Sequence, residues 1–274
     1  MNKPVKKNSG YACNLIYPLD RDDNFTPDYL QSIELVLKSY NIDIESLSQP
    51  LFDYETSLRF YHFYHDNLTP NLKRGLIILR NLYHNNKKLR VKVIEDKYQY
   101  PEKILNDLAN QKILQEDIDN ILKLLFVNGF PEEITNKQKI STVYIDYISG
   151  GWFEEYIYYN LQKTNPQDLL LNVRATNLLN NEFDVFMLKN NILYFIECKT
   201  SVKVPKGNII NDTLYKLDSI SHPAGLTARK ILMCLDEEIF NKESVRNRAK
   251  QTRIKIITGS QLIPDSIVEH FMRL

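Results

Sequence analysis

Two carboxylates and a lysine, Asp184 with the triplet Glu197-Cys198-Lys199, are the residues whose type and spacing most plainly suggest chemistry. They lie in two apolar, β-prone runs, 183–188 and 192–198, joined through Lys189-Asn190-Asn191. Asparagine tolerates the positive φ angles of a tight hairpin turn, so the spacing predicts a β-hairpin with Asn190 and Asn191 at its tip. A two-residue loop then fixes the register: Lys189 pairs with Ile192, Leu188 with Leu193, and each pair sums to 381. Asp184 falls opposite Glu197, and Glu182 opposite Lys199. Alternation along each strand puts these side chains on one face and turns Cys198 to the other. Directly opposed like charges, with Cβ atoms about 5 Å apart, destabilise a sheet. Amid Phe186, Phe195 and Leu193 they call for a divalent cation, and carboxylate oxygens suit Mg²⁺ or Mn²⁺. A neighbouring lysine can orient water or stabilise charge on a phosphate, the groundwork for metal-assisted phosphodiester hydrolysis. A solvent-facing hairpin with incidental charges would carry the same letters.

The elements that must hold this hairpin are α/β. A helix over 152–162 follows Gly150-Gly151, strands are expected at 171–175, 183–188, 192–198, 230–235 and 253–257, and helices at 212–220 and 241–250. Upstream, 26–130 reads as mainly helical. Thr26 and Pro27 open a first helix with Tyr29, Leu30, Ile33 and Leu37 at helical spacing. Further helices cover 55–67, 70–84, a segment opened by Pro101, and 115–126. Leu15 to Pro18 could form a short strand, and Lys87 to Val93 a basic one, so the helical part could be winged-helix-like. Residues 132–141 are polar and read as a linker or surface loop. The expected division is a helical region over 1–135 and a catalytic domain over 136–274.

Bulk properties set limits. With 274 residues the chain forms one or two domains. Net charge is +1, so any nucleic-acid surface must be a local basic patch. No run of about 20 apolar residues could cross a membrane, and the basic N-terminus lacks the apolar run of a signal peptide. Cys13, Cys198 and Cys234, odd in number and without metal-like spacing, fit a reducing cytoplasm.

The pattern of Asp184, twelve residues, then Glu197-Cys198-Lys199 resembles the PD-(D/E)xK nuclease core. Gly150-Gly151-Trp152-Phe153-Glu154-Glu155 before it, Leu214-Tyr215-Lys216-Leu217-Asp218 after it, and then Ala224-Gly225 extend the likeness. Together these are similar to the nuclease half of the CRISPR ancillary effectors that join a CARF domain to a restriction-endonuclease-like domain. The resemblance covers roughly 144–262 and implies a mixed sheet flanked by helices. It implies a metal bound by Asp184, Glu197 and the Cys198 carbonyl, with Lys199 assisting the attacking water. Glu154 is the implied further acid, with Glu155 its rival, and Lys216 is an implied phosphate contact. It also implies a homodimer and a role in defence against viruses or mobile elements. The family's Rossmann-like CARF domain binds cyclic oligoadenylate. Only about 25 residues precede the helical region here, so control by that ligand is not expected. The family's usual Gly-Gly pair is replaced by Ala224-Gly225.

The expected function is therefore a metal-dependent endonuclease acting on DNA, RNA or both. The alternative is a non-catalytic nucleic-acid-binding module on the same fold. Other features read more simply. His62, His65 and His84 lack the clustered acids of a metal site. Phe60, Tyr61, Phe63 and Tyr64 pack a helical core. Lys87, Lys88, Arg90 and Lys92 form a basic stretch able to contact phosphates or simply to face solvent. Cys198 is a buried structural thiol.

Overall fold

The computed structural model describes residues 32–67, 69–85, 88–176, 182–200, 209–221, 228–237 and 243–273. The expected strand at 15–18, the Thr26–Pro27 helix start with Tyr29 and Leu30, and Cys13, Lys87, Ala224 and Gly225 lie outside these residues. The chain separates into two compact units. One comprises the described residues through Pro50 and from Ile157 onward, and the other is Leu51–Tyr156.

The first unit is built on a six-stranded mixed sheet. Its strands are β1 (Ile44–Ser48), β4 (Asp168–Ala175), β5 (Glu182–Lys189), β6 (Ile192–Lys199), β7 (Arg229–Cys234) and β8 (Ile254–Thr258), in that spatial order. β1, β4, β5 and β6 run antiparallel to their neighbours, whereas β6–β7 and β7–β8 are parallel. The helices are α1 (Ile33–Ser39), α9 (Ile209–Ser221), α10 (Glu243–Gln251) and α11 (Pro264–Met272). This is the α/β architecture expected of a restriction-endonuclease-like core.

Its core gathers Phe183, Phe186, Leu188, Leu193 and Phe195 of the hairpin with Ile33 and Leu37 of α1, Leu214 and Leu217 of α9, and Val245 of α10. The Phe186 ring lies 4.5 Å from Phe183 and 4.6 Å from Phe195. β5 and β6 are buried along almost their whole length. That is why they read as continuous apolar runs rather than as an alternating pattern.

The second unit is helical. It contains α2 (Tyr54–Asn67), α3 (Pro70–Asn85), α4 (Glu102–Asn110), α5 (Gln115–Leu125), α6 (Glu132–Lys137) and α7 (Thr142–Asp146), with a hairpin of β2 (Lys92–Ile94) and β3 (Lys97–Gln99). After α7 the helical path breaks at Gly150, whose φ/ψ is non-helical, and resumes as α8 (Trp152–Gln162). The aromatic cluster of α2 is core, as expected. Phe60 stacks on Trp152 at 6.1 Å, and Tyr61 stacks on Tyr156 at 4.5 Å. His62, His65 and His84 are exposed, and the last two pair with Asp66 and Asp146.

Residues 132–141 are not a loop. They contain α6, and Ile134 and Ile140 are buried. Two apolar anchors among eight polar letters suffice when they fall on the packed side. The expected basic strand shrinks to Lys92–Ile94, ending where Glu95 and Asp96, at φ 50° and 56°, turn the chain back. β1, α7 and α11 were not anticipated. β1 is mostly exposed, so it leaves little hydrophobic pattern.

Candidate active site

The hairpin turn is as the asparagines predict. Asn190 and Asn191 have φ of 51° and 60°, and the register runs from Lys189 opposite Ile192 to Val185 opposite Ile196. Gln167 clasps the tip, accepting from the Asn191 backbone N–H at 2.7 Å and donating to its side-chain oxygen at 2.7 Å.

The register pairing stops one step short of the acids. Instead of an Asp184–Glu197 backbone pair, Asp184 Oδ2 accepts from the Cys198 N–H at 2.6 Å. The expected Glu182–Lys199 opposition is replaced as well. Glu182 turns to Arg174 of β4, at 2.8 Å, and Lys199 turns to the carboxylates. Where the backbones part, a side chain takes over a ladder bond, and residues beyond that point no longer follow the simple register.

Lys199 joins the site together. Its ammonium lies 2.6 Å from Glu197 Oε1, 3.4 Å from Asp184 Oδ2 and 3.0 Å from the Cys198 carbonyl oxygen. On α9, Lys216 places its Nζ 3.6 Å from the same Glu197 oxygen. Asp184 and Glu197 are buried, while Lys199 and Lys216 keep about a third of their side chains exposed, at 30 % and 37 %. The site is thus open on its basic side. Burial pushes the Asp184 carboxyl up to about 6, and the Glu197 charge adds to this, whereas Lys199, the Cys198 N–H and Lys216 oppose it.

The donor set fits a hard cation. Two carboxylate oxygens and a backbone carbonyl converge on one positive centre, the ammonium of Lys199. Oxygen donors of this kind suit Mg²⁺ or Mn²⁺. Among the described residues no group of three or more His, Cys, Asp and Glu side chains could hold an ion. A cation here would rely on two carboxylates, the carbonyl and water, a composition usual for Mg²⁺.

Glu154 and Glu155 stand in the first turn of α8 with different surroundings. Glu155 is buried, and its two oxygens accept from the backbone N–H groups of Leu51 and Phe52. Burial raises it to about 7, with these bonds and Tyr147 pulling the other way. Glu154 is half-buried. Cys198 and Cys234 are buried, and neither is in a disulfide among the described residues.

Sequence reading missed the Cys198 N–H, which donates to Asp184 whatever the side chain, while the Cys198 carbonyl named from the resemblance lies beside the Lys199 ammonium. It also passed over Asp236, buried just past β7 beside Leu235, whose N–H donates to the Lys199 carbonyl at 3.1 Å. A single acid in Leu235-Asp236-Glu237 carries no pattern signal.

Residues 143–272 match the family model described as the Card1-like endonuclease domain. No curated protein matches the chain. Among solved structures, the fold is shared with the protein VC1899 from Vibrio cholerae, at 22 % identity and a TM-score of 0.58, over 94 % of this chain and 64 % of that one. It is also shared with Can2 from Sulfobacillus thermosulfidooxidans, solved with cyclic tetra-adenylate, at 20 % identity and a TM-score of 0.52, over 88 % of this chain and 60 % of that one. The chain therefore spans less than two thirds of either relative. Sheet order, hairpin and family match agree: residues 143–272 are similar to the Card1-like endonuclease domain and resemble the nuclease half of the CRISPR-associated CARF–nuclease effectors.

Proposed function

We propose that this chain is a metal-dependent endonuclease that hydrolyses phosphodiester bonds of DNA, RNA or both, in defence against viruses or mobile elements. The observation that carries the reading is the convergence of Asp184, Glu197 and the Cys198 carbonyl on one positive charge, with Lys216 beside it. Mg²⁺ or Mn²⁺ would be held by those three oxygens, and it would polarise the scissile phosphate and offset the charge that builds as a fifth oxygen joins phosphorus. Lys199, released from the carboxylates, donates to the attacking water and holds it in line. Lys216, on the exposed side, contacts a phosphate of the strand. Glu154 is carried by the resemblance as a further acid, and Glu154→Gln tests it by raising the metal concentration needed for half-maximal cleavage.

The direct test offers plasmid and single-stranded substrates with Mn²⁺ or Mg²⁺. Wild-type protein cleaves and Asp184→Ala does not; equal cleavage by the two would overturn the assignment. A second reading, a nucleic-acid-binding module without catalysis, draws on the same ammonium, which already satisfies the three oxygens without an ion. Binding without cleavage under any metal would favour it. Pairing of two copies belongs to the proposal and is checked by light scattering. Calorimetry with cyclic tetra-adenylate, the ligand in the Can2 structure, tests whether a nucleotide sensor operates here.

A further inference from the structure

The basic stretch around Arg90 plays no part in the proposed hydrolysis, yet it has a built setting within the unit Leu51–Tyr156. The Ile140 N–H donates to the Val91 carbonyl at 3.0 Å, and an antiparallel bridge joins Lys92 to Lys139. Two distant segments are zipped together in this way. Arg90, Lys137 and Lys139 then line one cavity of about 360 Å³ with Glu133, Ser141 and Tyr144. Glu133 is paired with Lys137 at 2.6 Å, so the unbalanced charge belongs to Arg90 and Lys139.

Arg90 is held in place. Its guanidinium lies 4.7 Å from the centre of the Tyr83 ring. That ring is fixed in turn, because its hydroxyl accepts from the Val91 N–H at 2.8 Å and donates to the Ile140 carbonyl. Arg90 Nη1 is buried and has no hydrogen-bond partner among the described residues. A buried guanidinium donor without an acceptor is costly unless a ligand supplies one. Guanidinium groups match phosphate oxygens particularly well. Exposed Lys88, Lys92 and Lys97 continue the positive surface beyond the cavity, which suits a strand of phosphates better than a single one.

We propose that this face binds the backbone of a nucleic-acid strand, with one phosphate in the cavity against Arg90 and Lys139 and its neighbours along Lys92 and Lys97. The identity of the polyanion rests on the nuclease reading above; the phosphate chemistry does not. The test is fluorescence anisotropy of the full chain with a labelled single strand and the matching duplex, without divalent metal, over a range of salt. The double variant Arg90→Gln, Lys139→Gln should weaken binding at least about tenfold and flatten the slope of log affinity against log salt by about 2. Lys139→Gln alone, at an exposed position, should flatten it by about 1 and serves if the Arg90 variant fails to fold.

Unchanged affinity and slope would overturn the proposal. So would saturable binding of a mononucleotide or inorganic phosphate that depends on Arg90 while strand affinity does not, because the cavity would then be a small-ligand pocket. A chain that binds strands through Arg90 and cleaves none under any metal leaves this site standing and overturns only the nuclease reading.

Discussion

Asp184 and Glu155 are both carboxylates removed from water, one in each compact unit, and burial raises both, Asp184 to about 6 and Glu155 to about 7. Their partners differ. Glu155 meets two backbone N–H groups at the chain segment that leads into α2. Both its oxygens are taken by the backbone of a segment distant in sequence, the arrangement of a structural contact. Asp184 has one backbone N–H and otherwise faces another buried acid and two part-exposed lysines. An acid pair of this kind is poorly satisfied by the fold alone. A buried charge matters for function when its balance is left to a mobile or exogenous cation, and for structure when the backbone completes it.

The largest effects are expected at the Asp184–Glu197 acid pair. Asp184→Ala, Glu197→Ala or Lys199→Ala should each cut cleavage by about 10³-fold or more, the scale of losing a group made useful only in the transition state, and chelation should abolish it. Glu155→Gln should leave the metal requirement of cleavage unchanged. A fall in metal affinity in that variant would erase the distinction between the two acids. Lys216→Ala should have a smaller effect, about tenfold on cleavage, expressed mainly in KM because Lys216 contacts the strand rather than the water.

Glu155 also makes stability depend on pH. Glu155 titrates near 4.5 when unfolded and near 7 when folded. Below 4.5 it is protonated in both states. Through the window from 4.5 to 7 the folded protein holds the extra proton, so its contribution to stability falls as pH rises and levels off above 7. The loss amounts to about 3 kcal/mol. Urea unfolding at three pH values should show this slope in wild type and not in Glu155→Gln. The smallest effect belongs to the hairpin tip. Asn190→Ala should cost about 1 kcal/mol by calorimetry, because alanine resists the positive φ, whereas Asn190→Gly should be close to neutral.

Much of the hairpin half was legible in the letters. The Asn190-Asn191 pair set the turn, the turn set the register, and the register brought Asp184 and Glu197 to the same end of the hairpin. These are local rules of backbone conformation and strand periodicity, which act within a few residues of each other. The helical region was legible as helices because their apolar spacing repeats. Where pattern was thin, reading failed: α6 hid inside a polar segment, and the exposed β1 offered no alternation.

What tertiary structure alone decided is how the polar groups divide. In sequence, Glu154 and Glu155 are adjacent and equivalent. Only the packing against Leu51 and Phe52 assigns Glu155 to the backbone. In sequence, Glu182 belongs opposite Lys199. Only the parting of β5 and β6, with Asp184 taking the Cys198 N–H, frees Lys199 to meet both acids and sends Glu182 to Arg174. Turn chemistry and periodicity are short-range and are written in neighbouring residues. Hydrogen-bond and charge satisfaction is settled by groups distant in the chain, and those meet only once the fold has formed.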